Sequence, residues 1–258
     1  MNTQNSKLRF VFFGSPDVSH YILDELEKKG LRPLKVVSSS RDPLPLEELQ
    51  ELDADVFIVA SFGKILPEEL IYMPKYKTLN IHPSLLPRLR GTSPIKSTIL
   101  LNEKPGVTIM LMDKEMDHGP ILAQKELALE GILRHPELEK KLWETGGELL
   151  AEILPDWIEG KVSEVPQDES QATYTHKISK EDGLLNLNAD AETNLRKVYA
   201  YDPWPGTYFF FRTKMGKDIR IVVKNAKIQD GKFIPTRVIP EGKKEMSWDD
   251  FLRGHAEL

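Results

Sequence analysis

From residue 8 to residue 158, short apolar runs alternate with stretches whose apolar residues fall at helical spacing, and few folds accept that alternation. Leu8–Phe13 (L-R-F-V-F-F) reads as a buried strand, turned by Gly14-Ser15-Pro16. Asp17–Lys29 then sets Val18, Ile22, Leu23 and Leu26 at helical spacing, with Gly30 as the stop. Further strands read at Pro33–Ser38, Asp55–Ala60, Thr78–Ile81 and Val107–Met112, with helices over Pro94–Leu101 and Pro136–Ile158. Strands alternating with helices predict an α/β fold, a mostly parallel sheet with helices on both faces. The first turn, F-F-G-S-P-D, lacks the repeated glycines of a dinucleotide fingerprint, which argues against an NAD enzyme, and no Walker-type loop occurs.

The strand at Thr78 ends in Asn80-Ile81-His82, and Pro83 forces the chain out of the sheet. Residues two apart in a strand share a side, so Asn80 and His82 face one direction at a strand's carboxyl end, where open α/β sheets bind ligands. A carboxamide donor beside an imidazole can hold a developing oxyanion and move a proton, as acyl transfer requires. Asp117 follows 35 residues after His82 in the polar loop D-H-G-P-I-L. It either orients the imidazole or caps its own turn, as short polar side chains often do. A histidine at a strand end is otherwise a hydrogen-bonded structural residue; Asn80 before it and S-L-L-P after it favour catalysis. Arg88 and Arg90 serve phosphate or RNA contacts, or only cover the loop.

The chain of 258 residues is long enough for two domains, and its 40% hydrophobic and 29% charged residues are those of an ordinary soluble protein. It has no cysteine, which rules out disulfides and thiolate zinc sites and fits a cytoplasmic setting. No apolar run approaches the ~20 residues of a membrane span, and the opening M-N-T-Q-N-S-K lacks the apolar core of a signal peptide. The six histidines show no metal-ligand spacing. The net charge of −5 is unevenly spread: Leu195–Leu258 holds thirteen Lys/Arg against eight Asp/Glu. A basic tail on an acidic body points to an anionic partner such as nucleic acid, or to a lysine-rich solvated surface.

From Pro166 a polar stretch reads as a linker, in which Tyr174 and Ile178 are expected to lie against something. Ala191–Ala200 reads as a short helix, and Thr207–Arg212, Asp218–Val223 and Lys232–Val238 as antiparallel strands of a small β module. Tyr208, Phe209, Phe210 and Phe211 stand among its basic residues, either as core or as a surface on which bases stack. Lys214, Lys217, Lys224 and Lys227 are its candidate phosphate contacts.

Several longer stretches narrow the reading. F-F-G-S-P stands at Phe12–Pro16, F-G-K-I-L-P at Phe62–Pro67, N-I-H-P-S-L-L-P-R-L-R-G at Asn80–Gly91, G-V-T-I-M at Gly106–Met110 and M-D-K-E-M-D-H-G-P-I-L at Met112–Leu122. T-Y-T-H-K-I-S-K-E-D-G follows at Thr173–Gly183, P-W-P-G at Pro203–Gly206 and P-E-G-K-K-E-M-S-W-D-D-F-L-R-G at Pro240–Gly254. Together they resemble, nearly end to end, the methionyl-tRNA formyltransferases, the tRNA-acting branch of the folate-dependent formyltransferase superfamily. The resemblance implies a Rossmann-like formyltransferase domain over residues 1–166, a linker over 167–189 and a small barrel-like, reduced OB-type domain binding tRNA over 190–258. It implies formyl transfer from 10-formyltetrahydrofolate to the α-amine of methionine on initiator tRNA, with Asn80, His82 and Asp117 as the catalytic set. Folate contacts fall on Phe62, Gly63, Ile65, Leu66, Ser84, Leu85, Leu86, Pro87, Asp113 and Met116, and Asp113 has a structural rather than a chemical part. No metal is implied, and a cytoplasmic monomer is expected.

The chain also departs from that pattern. Where the family usually carries a Gly/Lys/Arg-rich loop that reaches the tRNA acceptor end, then a helix and an additional strand, only Ser38–Leu52 stands here. His118 replaces the small Thr of many members, either as a bystander or to tune Asp117. The shortened body suits a second acceptor, an aminosugar linked to a nucleotide, whereas the basic tail and K-I-S-K-E-D-G suit tRNA. A non-catalytic RNA-binding paralogue and a hydrolase of the same folate complete the alternatives.

Overall fold

The structure, a computed structural model, describes residues 8–39, 41–213 and 216–255. The opening heptapeptide and Lys214, which two expectations invoke, lie outside them. The chain divides into two compact units. The first gathers the residues up to Pro94, Lys104–Ala128 and Glu139–Thr175; the second gathers Ile95–Glu103, Leu129–Leu138 and the residues from His176. Residues 167–175, read as linker, thus group with the first unit.

The first unit is built on β1 (Phe10–Gly14), β2 (Lys35–Val37), β3 (Val56–Ala60), β4 (Thr78–His82), β5 (Gly106–Leu111) and β6 (Ile121–Glu126). They form one sheet in the order β2-β1-β3-β4-β5-β6. β1 to β4 run parallel, while β5 is antiparallel to β4 and β6 to β5. The expected α/β architecture with a mostly parallel sheet is present. No strand is expected from the sequence at β6, because I-L-A-Q-K-E buries only Leu122 and lacks the apolar run of an inner strand.

Strand side chains alternate between faces, and both faces are covered. Val11 and Phe13 of β1 and Phe57 and Val59 of β3 pack under Leu49 of α2 (Leu46–Glu51) and Leu70 and Ile71 of α3 (Glu68–Ile71). Val59 pairs with Asn80, so Ile81 looks to the opposite face. There α5 (His135–Ile158) lies so close that a Cβ at Gly146 would stand 2.6 Å from Ile81 Cγ2. Next to it, a Cβ at Gly147 would meet the backbone of Ile22 in α1 (Pro16–Lys28) at 3.0 Å. Gly147→Val is therefore expected to destabilise the fold by about 2–3 kcal/mol through overpacking. In urea unfolding this should appear as a lower midpoint at unchanged slope.

The short segment after β2 is not a bare loop. Leu46, Leu49 and Leu52 recur at every third residue, Pro45 precedes them, and Glu47 and Glu48 occupy the favourable first turn, so α2 forms and buries Leu49.

The second unit holds α4 (Pro94–Leu101) from Ile95 onward, α6 (Ala191–Ala200), β7 (Thr207–Arg212), β8 (Asp218–Gln229), β9 (Lys232–Pro240), β10 (Met246–Ser247) and α7 (Trp248–His255). Asp190 caps α6 by accepting from the Thr193 N–H at 3.0 Å. The four strands form a small antiparallel sheet in the order β10-β9-β8-β7, with β7 and β10 at its edges among the described residues. β8 runs six residues past its expected end, since irregularities at Val223–Ala226 break the alternation that would mark it. Leu185, Val198, Phe209, Ile221, Val223, Val238 and Phe251 make its core.

Period two also sorts the aromatic run. Phe209 is buried, and Phe211 packs edge-on against Phe251 at 5.1 Å. Tyr208 and Phe210 emerge on the other face, 5.8 Å apart, with Phe210 59% exposed and the Arg220 guanidinium 3.9 Å from the Tyr208 ring.

Candidate active site

Strand register sets Val59, Asn80 and Met110 in one row across β3, β4 and β5. All three line a cavity of about 330 Å³ in the first unit, a volume within the range of small-molecule sites. Phe62, Gly63, Ile65 and Leu66 enter it from the loop after β3, and Asp113, Met116 and Asp117 from the loop after β5. Phe62 is fixed from behind by an edge contact to Phe13 at 5.5 Å. Ile65 and Met116 are exposed apolar groups, a setting suited to flat apolar surface on a ligand.

Asn80 reaches this cavity from mid-strand. Among the described residues no protein group hydrogen-bonds its carboxamide, which leaves both of its N–H bonds for a ligand.

Asp117 lines the same cavity and is held on three sides. Its Oδ2 accepts from the Gly91 N–H at 2.8 Å, its Oδ1 lies 3.4 Å from His82 Nδ1, and its main-chain carbonyl accepts from Gln167. Burial disfavours its charge, yet the balance holds its carboxyl below the usual carboxylate range, through the charge and hydrogen bond of His82, the Gly91 N–H and the Arg90 charge. It therefore does more than cap a turn.

His82 does not line the cavity; it is 4% exposed and stands behind Asp117. Its Nε2 is 3.1 Å from the Leu89 carbonyl, an acceptor-only group, so this nitrogen carries the proton and donates.

Ser84, Leu85, Leu86 and Pro87 also stand away from the cavity wall. Thr108 Oγ1 donates to the Ser84 carbonyl (2.7 Å) and accepts from the Leu86 N–H (3.0 Å), while Gln124 Nε2 donates to the Leu86 carbonyl (2.8 Å). Leu85 packs on the bare face of Gly106. This loop is fastened to β5 and β6, and it fixes the approach of His82.

Arg90 covers the loop instead of facing solvent. It is 1% exposed and pairs with Glu169 at 2.9 and 2.6 Å, with further bonds to Gln167 and Tyr174. Arg88 is exposed. His118 Nδ1 lies 2.8 Å from Asp113 Oδ2, and that hydrogen bond raises its pKa. Asp113 Oδ1 accepts from the Glu115 N–H at 2.8 Å, which holds the turn of its own loop. His118 thus partners Asp113, and Thr108, Gln124 and Gln167, which no sequence motif singles out, hold the site's loops in place. Only the polarity of Gln124 in an otherwise apolar I-L-A-Q run signals one of them.

Comparison with known proteins follows the same lines. A family model described as formyl transferase matches residues 24–154, and one described as formyl transferase, C-terminal domain, matches residues 177–235. A methionyl-tRNA formyltransferase of Chloroflexus aurantiacus is 41% identical over 265 aligned residues, covering 90% of this chain and 84% of that one. Those aligned positions outnumber the 258 residues of the chain, so that relative carries residues missing here. Among solved structures, HypX from Aquifex aeolicus in complex with tetrahydrofolic acid superposes with a TM-score of 0.71 at 21% identity. The match covers 96% of this chain and 47% of HypX, so the chain spans about half of that protein. A methionyl-tRNA formyltransferase from Clostridium thermocellum superposes at 0.66 with 14% identity, covering 93% of this chain and 99% of that one.

Proposed function

The chain belongs to the formyl transferase family, matching both its amino-terminal and its carboxyl-terminal models, and from that premise we propose that it formylates the α-amine of methionine carried on initiator tRNA. It is a folate-dependent one-carbon transferase of translation initiation, a methionyl-tRNA formyltransferase in activity. The observation that carries the chemistry is the single cavity wall presenting both an unengaged Asn80 carboxamide and the ionised Asp117.

The proposed donor is 10-formyltetrahydrofolate, held in the cavity by Phe62, Gly63, Ile65, Leu66 and Met116. The occurrence of tetrahydrofolic acid on a chain of the same fold supports this. The methionyl amine attacks the formyl carbon and gives a tetrahedral oxyanion. The Asn80 carboxamide donates to that oxygen where its charge develops. Asp117 takes a proton from the attacking nitrogen, its charge held by His82 behind it. As the bond from carbon to the folate nitrogen breaks, the proton passes to that nitrogen, and formyl-methionyl-tRNA and tetrahydrofolate leave. No covalent enzyme intermediate is required.

The proposal places tRNA on the carboxyl-terminal segment 190–258 of a cytoplasmic monomer. Tyr208, Phe210 and Arg220 support it as a partly exposed aromatic face with a cation stacked on it. A double variant Tyr208→Ala/Phe210→Ala should weaken tRNA binding about tenfold or more, and binding should weaken steeply with added salt. Among the described residues, no helix is long and apolar enough to cross a membrane.

The deciding assay offers 10-formyltetrahydrofolate with either methionyl initiator tRNA or a nucleotide-linked aminosugar and follows formyl transfer. Transfer to the tRNA is expected. Formylation of the sugar alone would overturn the proposal in favour of the aminosugar alternative.

A further inference from the structure

We propose that Gln167 is a positioning residue for Asp117, clipping the loop that carries this carboxylate to the buried Arg90; the inference rests on the catalytic reading of Asp117 given above. The Gln167 carboxamide uses all of its hydrogen-bonding capacity. Its Oε1 accepts from Arg90 Nε at 3.0 Å and from Arg90 Nη2 at 2.7 Å. Its Nε2 donates to the Asp117 carbonyl at 2.9 Å and to the Gly119 carbonyl at 2.8 Å. One side chain therefore joins the strand-end loop after His82 to the loop after β5.

The join matters because Asp117 needs outside support. Its backbone has φ +55°, a left-handed conformation that few non-glycine residues adopt without support from their surroundings. Two residues later, a Cβ on Gly119 would fall inside contact distance of the Leu111 carbonyl oxygen, so the loop is pressed against β5. Gln167 grips the carbonyls on both sides of His118. From the other loop, Arg90 is anchored by Glu169 and Tyr174, and its neighbour Gly91 gives its N–H to Asp117 Oδ2. Main chain and carboxylate of Asp117 are thus both referred to Arg90-Gly91, which leaves Oδ1 facing His82.

Only a carboxamide of this length meets both partners. Gln167→Glu keeps an acceptor for Arg90, removes both donors and turns a carboxylate oxygen toward two carbonyls. Gln167→Met keeps the length and removes every polar contact. In the full-length enzyme each variant is expected to lower kcat about ten- to a hundredfold, the effect of a misplaced catalytic group, at unchanged KM for methionyl-tRNA. Amide hydrogen exchange should quicken at Asp117–Gly119 while β4 and β5 stay protected. In an Asp117→Asn background, Gln167→Glu should cost nothing further, because Gln167 acts through Asp117. Wild-type kcat per folded molecule, unchanged exchange in the loop, or a fully additive loss would each overturn the proposal. Should Asp117→Asn alone keep the wild-type rate, the catalytic reading of Asp117 fails instead, whatever Gln167 does.

Discussion

Replacing Asp117 by Asn is expected to lower kcat by about a hundred- to ten-thousandfold, the scale for removing a positioned general base. The substitution is nearly isosteric. It removes the charge facing His82 at 3.4 Å while leaving an oxygen for the Gly91 N–H. Single-turnover formylation of methionyl-tRNA checks it, and a rate within tenfold of the unaltered enzyme would remove Asp117 from the mechanism. The same variant tests the electrostatics. The folded-state pKa of Asp117 lies below the ordinary value. Its ionisation therefore stabilises the fold fully above about pH 4, the unfolded value, and this contribution is lost as pH falls through the depressed folded value. The stability difference between the unaltered protein and Asp117→Asn should thus shrink as pH falls through the acid range. A difference that stays constant down to about pH 2 would contradict the assignment.

Asn80→Ala is expected to cost about a hundred- to a thousandfold in kcat, or roughly 3–4 kcal/mol of transition-state stabilisation, the measured scale for removing one oxyanion donor. The thermal midpoint should hardly move, because no described protein group bonds the carboxamide and its loss leaves no buried partner stranded. That combination separates a ligand-directed amide from a structural one. A large fall in stability with a normal rate per folded molecule would assign Asn80 to the scaffold.

Much of the site was legible in one dimension. Alternation along β4 put Asn80 and His82 on one side of the strand, and Pro83 marked where the strand ends. The apolar runs of β1, β3 and β5 and the helical spacing of α1 and α5 announced the layered fold. The first shortfall lies where local pattern is weak. β6 is a half-exposed edge strand with one buried residue, and α2 is a helix of six residues in the short segment after β2. The second lies where partners are distant in sequence. The polar segment after Pro166 has the composition of a linker, yet Gln167, Glu169 and Tyr174 fasten Arg90, which precedes them by more than seventy residues. No periodicity encodes such a pairing.

By itself, then, the sequence determined the layered α/β body and the basic character of the tail, and it singled out Asn80, His82 and Asp117 as candidates, because each follows from residue type and local spacing. Only the tertiary structure decided which of these groups face the cavity. Cross-strand register sets Asn80 between Val59 and Met110 on its wall, while the Leu89 carbonyl and Asp117 draw His82 behind it. It also divided the aromatic run, turning Phe209 and Phe211 to the core and the half-buried Tyr208 and exposed Phe210 to the other face, since strand alternation fixes two sides and only packing chooses which is buried.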